Sequence, residues 1–295
     1  MPSAIAQGLI WGIMAIGIYV TYKILDIADL TVDGSLCTGG ATCVILLVNG
    51  CPMWLALICS IFVGMLAGLI TGILITKLKI PAILAGILTQ LALYSINLHI
   101  MGFDTTSFSK SNLPISVDKY NLIVSSRYVR ELSLRNPIIV VILFVAIVIA
   151  ILYWFFGTEL GCSIRATGAN QFMARSQGIN TDKTKVIGLV ISNSLVALTG
   201  ALLSQYQGFA DINMGRGAIV IGLAAVIIGE QIFDKIFKNF ALKLFACVLG
   251  AIIYYLVIQF VLKLGLSTDD LKMLTATVVA IFLAIPNLKK GTKSC

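Results

Sequence analysis

Two stretches of the chain place ionisable side chains where an apolar sequence tolerates them least. Asp29 and Asp33 lie in ADLTVDGSLCTGGA, which begins at Ala28; Asp211 and Arg216 lie in ADINMGRGAIVIGLAA, which begins at Ala210. Each stretch follows a long apolar run and leads into a short one. Three chemistries suit such residues. A carboxylate ahead of a short helix is a favoured N-cap. A helix that begins inside a membrane directs its unpaired N–H groups and positive dipole end into the space before it, where the carboxylate of a solute would be stabilised. The third is ion binding, with Asp29 and Asp211 as ligands. Ionisable groups within a membrane are costly and usually functional. The expected pathway lining is therefore Asp29, Asp33, Ser35, Thr38 and Gly39 at the first break, and Asp211, Asn213, Gly215 and Gly217 at the second. Small residues there leave room for a moving solute. Paired aspartates also suit an intramembrane protease, but capping is the stronger reading.

A second informative stretch is polar: FFGTELGCSIRATGANQFMARSQGINTDKTK, residues 156–185. Asn170 is a good N-cap, Gln171 to Gln177 are expected to form about two helical turns, and Gly178 suits the left-handed position that ends a helix. Phe172 and Met173 are adjacent apolar residues on this otherwise polar helix, with Ala174 beside them. Helices this short are marginal in water, so this one needs a surface. Either it lies on the ends of its own bundle, or a partner protein supplies a groove with Arg165 and Arg175 as polar anchors.

The elements that must position these residues are membrane helices. Of 295 residues, 59% are hydrophobic and 12% charged, and the mean hydropathy is +1.00, a balance outside the range of soluble domains. Apolar runs fall at about 4–25, 36–49, 53–76, 81–101, 137–156, 186–207, 217–229, 241–262 and 272–287. Most approach the ~20 residues that cross the hydrocarbon core as a helix, but 36–49 and 217–229 span only ~20 Å against ~30 Å. The expected fold is an all-α polytopic bundle of about nine segments, one domain over 1–295, with repeat-like halves at about 4–101 and 186–287 and a polar segment at 157–184. The two breaks align at a register of 182 residues: Ala28 with Ala210, Asp29 with Asp211. Interrupted helices in corresponding positions of two inverted halves point to a transport pathway.

The net charge of +8 fits a membrane protein whose Lys and Arg collect on the cytoplasmic side, and calls for no nucleic acid. With the tail bearing Lys289, Lys290 and Lys293 inside, counting back puts Lys235, Lys238, Lys243, Arg165, Arg175, Lys183, Lys185, Lys77, Lys79 and Lys23 inside as well, and the N-terminus outside. The 102–136 loop then lies outside despite its five basic residues, in line with the weakening of the rule for long loops. The N-terminal run lacks the features of a cleaved signal and reads as a retained span. Gly64, Gly68 and Gly72 share one helix face, which favours close packing within the bundle over a dimer seam. The single histidine, His99, ends an apolar run, and the seven cysteines form no CxxC pair. No GxxxxGK[ST], HExxH or GxSxG occurs, so energy must come from a partner subunit or an ion gradient.

The run from Leu160 to Glu230, with its RATGANQFMARSQGIN, resembles the permease subunits of ABC importers, in the branched-chain amino-acid and sugar importer permease family. Within that family it is most similar to permeases encoded with a binding lipoprotein, some of which handle aromatic amino acids. The resemblance extends to DLTVDGS in the first half. It implies that Ala169 to Asn180 couple to a separate ATPase, with Asn170, Ala174, Arg175 and Gly178 matching the motif and Gln171 in place of the more usual Pro. It further implies an ATPase dimer that holds ATP and Mg, with no cofactor on this chain. An extracytoplasmic substrate-binding protein, a second copy of this chain and a bacterial plasma membrane complete the expectation. The alternative is a secondary transporter coupled to Na⁺ or H⁺ through Asp29 and Asp211, which the 157–184 segment does not fit.

Overall fold

The computed structural model describes residues 2–102, 111–115, 122–127, 136–233, 236–263, 273, 276–277 and 280. Most of the 272–287 run, Lys235, the basic tail and most of the 102–136 loop lie outside the described residues. The remainder is an all-α bundle. Among the described residues, six helices are long and apolar enough to cross a membrane: α1 (Pro2–Ile18, continued by a π-helical turn Tyr19–Ile24), α3 (Met53–Thr76), α4 (Ala82–Gly102), α5 (Pro137–Phe156), α8 (Thr181–Gln207) and α10 (Phe240–Lys263). Two shorter apolar helices, α2 (Val32–Val48) and α9 (Ala218–Phe233), follow the two breaks. Both are longer than their hydropathy runs, because small and polar residues such as Gly34, Ser35, Glu230 and Gln231 continue the helix without adding to hydropathy. At ~25 Å each they still fall short of the hydrocarbon core.

α1 and α8 are the most enclosed of the long helices, whereas α3, α4 and α5 expose Leu, Ile and Phe outward, as a lipid-facing rim must. α8 packs against α2 and α3, and α1 and α9 pack against α10. Gly64, Gly68 and Gly72 of α3 make the α3–α8 approach possible: a Cβ on each would meet the backbone of α8 at Asn193, Leu189 and Val186. These glycines therefore serve intramolecular packing. α5 opens on Asn136, whose Oδ1 accepts from Ile138 N at 3.0 Å ahead of Pro137.

Short helices α6 (Glu159–Ala169) and α7 (Gln171–Ser176) sit between α5 and α8. Their end of the bundle also carries Lys23, Lys77, Lys79, Lys183, Lys185 and Lys243. At the other end is a two-stranded antiparallel ribbon that hydropathy did not announce. Strand β1 (Asn112–Pro114) pairs with β2 (Phe209–Asp211), Leu113 opposite Ala210.

Candidate functional site

The first break forms where α1 loses α-helical geometry. Thr21 Oγ1 donates to Ile18 O, Leu25 N donates to Val20 O five residues back, and Asp26 takes φ 55°. The chain then reverses into an Asx turn: Asp29 Oδ1 accepts from Thr31 N at 2.9 Å. Asp29 is 4% exposed, and its Oδ2 accepts from Asn193 Nδ2 of α8 at 2.7 Å. A hydroxyl chain holds the same break to α3 and α4: Thr31 and Thr71 oxygens lie 2.8 Å apart, and Thr71 bonds Thr89 at 3.1 Å. A buried carboxylate is tolerable only with such partners.

The second break repeats the turn. Asp211 Oδ1 accepts from Asn213 N at 2.7 Å, the same i to i+2 bond at the 182-residue register. Here the surroundings differ, because Asp211 ends β2 and is only half-buried. Asp29 and Asp211 share no partner, and no metal-capable group of three His, Cys, Asp or Glu exists among the described residues.

The two breaks meet through Asp33. Its Oδ2 accepts from Gly217 N and its Oδ1 from Ile219 N, each at 3.0 Å. The carboxylate at the start of α2 therefore caps the start of α9. This overturns the expectation that α9 offers a free N-terminus to a solute; the protein's own carboxylate fills it. Gly215 is needed for the contact, since a Cβ there would stand 2.0 Å from Asp33 O. From this junction α2 runs ~22 Å to Val48 and α9 runs ~20 Å the other way to Glu230. Glu230 meets Lys23 at 3.0 Å at the basic end. The junction thus lies deep between the two ends of the bundle.

Beside it opens a cavity of about 370 Å³, walled by Asp33 and Cys37 of α2, Tyr94 and Asn97 of α4, and Ile212 and Arg216 of the second break. Of the expected lining, Asp33 reaches this cavity. Ser35, Thr38 and Gly39 stand behind it: Ser35 Oγ donates to Thr31 O and Asn193 Oδ1, Thr38 Oγ1 donates to Gly34 O, and Gly39 abuts Ala197 O. Asn213 and Gly217 are exposed in the second break, and Gly215 is buried against Asp33. Asn193, Asn97 and Tyr94 were not among the sequence candidates. The signal for the two asparagines was a side-chain amide inside an apolar run, which is costly without a role.

At the basic end, Thr158 caps α6 and Asn170 caps α7, its Oδ1 accepting from Phe172 N at 3.0 Å and Met173 N at 3.1 Å. Ile179 N returns to Ala174 O and Gly178 takes φ +80°, so α7 ends as its sequence predicts, one residue early. Ala174 is 3% exposed and faces the bundle, whereas Phe172 and Met173 are 85% and 63% exposed. Arg175 ties α7 to the start of α8, donating to Thr181 Oγ1 at 2.7 Å and meeting Asp182 at 3.4 Å; Lys185 Nζ donates to Gln171 Oε1 at 2.9 Å. Arg165 is turned back onto its own bundle, donating to Phe156 O with its guanidinium 5.6 Å from the Phe240 ring. α6 also touches the first break: a Cβ on Gly168 would fall 1.7 Å from Ile24 O.

The family described as branched-chain amino acid transport system / permease component matches residues 1–284. The chain belongs to this family. It is a permease of an ABC import system and a multi-pass inner-membrane protein. The permease is 42% identical over 291 residues to a tyrosine transport system permease protein of Clostridioides difficile, covering 99% of this chain and 92% of that one. It is 28% identical over 220 residues to a ribose import permease protein of Haemophilus influenzae, covering 74% and 64%. Its fold is similar to that of PsaBC from Streptococcus pneumoniae in complex with Fab, with a TM-score of 0.55 at 14% identity over 95% of this chain and 89% of that one.

Proposed function

We propose that this permease carries a small α-amino acid inward, driven by a dimer of a separate ATPase that docks on α7. The observation that carries the reading is the exposed Phe172–Met173 pair on a helix capped at both ends and fixed to α8. Two large apolar side chains held in water on a rigid turn are what a partner groove needs. Force applied at α7 has a packed route inward: α6 rests on Ile24 through Gly168, Ile24 leads into the first break, and Asp29 and Asp33 tie that break to α8 and α9. The two states of the gate differ in how the breaks sit together, and nucleotide binding on the partner shifts their populations through its contact with α7. One coupling element per chain calls for two copies, one for each ATPase. ATP and Mg stay on the partner, and an extracytoplasmic binding protein supplies the affinity for the cargo. The likeness to a permease named for tyrosine transport favours an amino acid, and an aromatic one.

Phe172→Asp tests this. Because Phe172 faces outward, the variant is expected to insert and fold as the parent does but to lose co-purifying ATPase. Ala174→Asp is the poorer probe, since it buries a charge beneath α7. Undiminished ATPase association in Phe172→Asp, or uptake that continues without an ATPase subunit, would overturn the proposal.

A further inference from the structure

The cavity beside the junction of the breaks holds two opposite charges that do not neutralise each other. Asp33 spends each carboxylate oxygen on a backbone N–H, leaving lone pairs free, since a carboxylate accepts about four bonds. Arg216 is exposed, lines the same cavity, and makes no ion pair among the described residues. Asn97 lines the cavity with them; it is 1% exposed, and its Oδ1 has no hydrogen-bond partner among the described residues. A buried acceptor without a donor is uncommon in native proteins and calls for an explanation. Tyr94, Leu91 and Ile212 supply an apolar side. A cavity of about 370 Å³ suits a solute of amino-acid size.

We infer that this cavity recognises the α-amino-acid zwitterion within the permease itself. Arg216 takes the carboxylate, because its planar fork of donors fits that group. Asp33 and the Asn97 amide take the ammonium, and the Tyr94 face meets the side chain. A neutral sugar would leave both charges unanswered, and a solute with one charge would leave one. Few contacts and an open side keep the site weak, as a gate that must release its cargo requires. This inference rests on the proposed amino-acid cargo and adds the residues that select it.

The test is saturation-transfer NMR on the purified permease–ATPase complex without binding protein, a method suited to weak ligands. The probes are L-tyrosine, tyramine, 3-(4-hydroxyphenyl)propionate and D-ribose. L-Tyrosine is expected to give transfer that Arg216→Gln reduces about 10-fold and Arg216→Lys partly restores; the single-charge analogues and ribose are expected to give little. Size-exclusion profiles and retained ATPase certify that the variants are folded. Equal transfer from tyramine, from the propionate or from ribose, or an unchanged signal in a folded Arg216→Gln, would overturn the zwitterion site. Such failure leaves ATPase docking on Phe172 standing. Conversely, L-tyrosine binding that depends on Arg216 in a permease that recruits no ATPase would preserve the site and sink the coupling proposal.

Discussion

Replacing Asp33 with alanine should loosen the permease more than replacing Asp211, its counterpart at the second break, with alanine. The carboxylate accepts two backbone N–H groups at the first turn of α9, each at 3.0 Å. Hydrogen bonds to a charged group contribute about 1.5–3 kcal/mol each, net of their exchange with water, so losing the pair should cost about 3–6 kcal/mol. Asp33→Asn retains one acceptor oxygen and should recover about half. By contrast, Asp211 makes one bond to the exposed Asn213 N–H, and Asp211→Ala should cost about 1 kcal/mol or less. Chemical unfolding of the purified permease in lipid nanodiscs, with all variants in one lipid, gives the comparison. A stability loss in Asp33→Ala no larger than in Asp211→Ala would refute the claim that Asp33 joins the two breaks.

Two further outcomes follow from the packing. Gly168→Ala places a methyl group against the Ile24 carbonyl, so α6 must lift from the first break; ATPase should still co-purify while binding-protein stimulation of its turnover falls about 10-fold, read in proteoliposomes, since a misfit of about 1–3 kcal/mol at a packed contact is enough. Lys23→Ala should change stability by about 0–1 kcal/mol, because the Lys23–Glu230 pair is exposed and its partners are free to hydrate; a loss comparable to that of Asp33→Ala would show that the pair is a structural lock.

Membrane class, the long spans and the two short helices were legible in hydropathy, because a run of about 20 apolar residues has few other uses. The α7 motif was legible to within a residue. Asn170 and Gly178 act through local backbone geometry that sequence states directly. The 182-residue register was also visible, and both aspartates do make the same Asx turn. What sequence did not disclose is tertiary. Nothing local says that Asp33 caps α9 rather than its own helix, because the bond joins residues 184 and 186 positions apart. Nor does spacing distinguish Ser35 and Thr38, which bind the backbone and α8, from Asn97, which lines the cavity from α4. Arg165, expected as a polar anchor for a partner, is exposed and also donates to Phe156 O beside the Phe240 ring, contacts that its position in the sequence does not disclose.

Coupling through α7 is tested most directly by placing a photo-reactive benzoylphenylalanine at position 172 and illuminating membranes that contain the whole importer. A covalent adduct with the nucleotide-hydrolysing subunit is expected, its yield changing with added ATP, and none from the same group at position 54, which lies on the outward face of α3. Adducts at 172 with lipid alone, or equal ATPase adducts from both positions, would contradict coupling through α7.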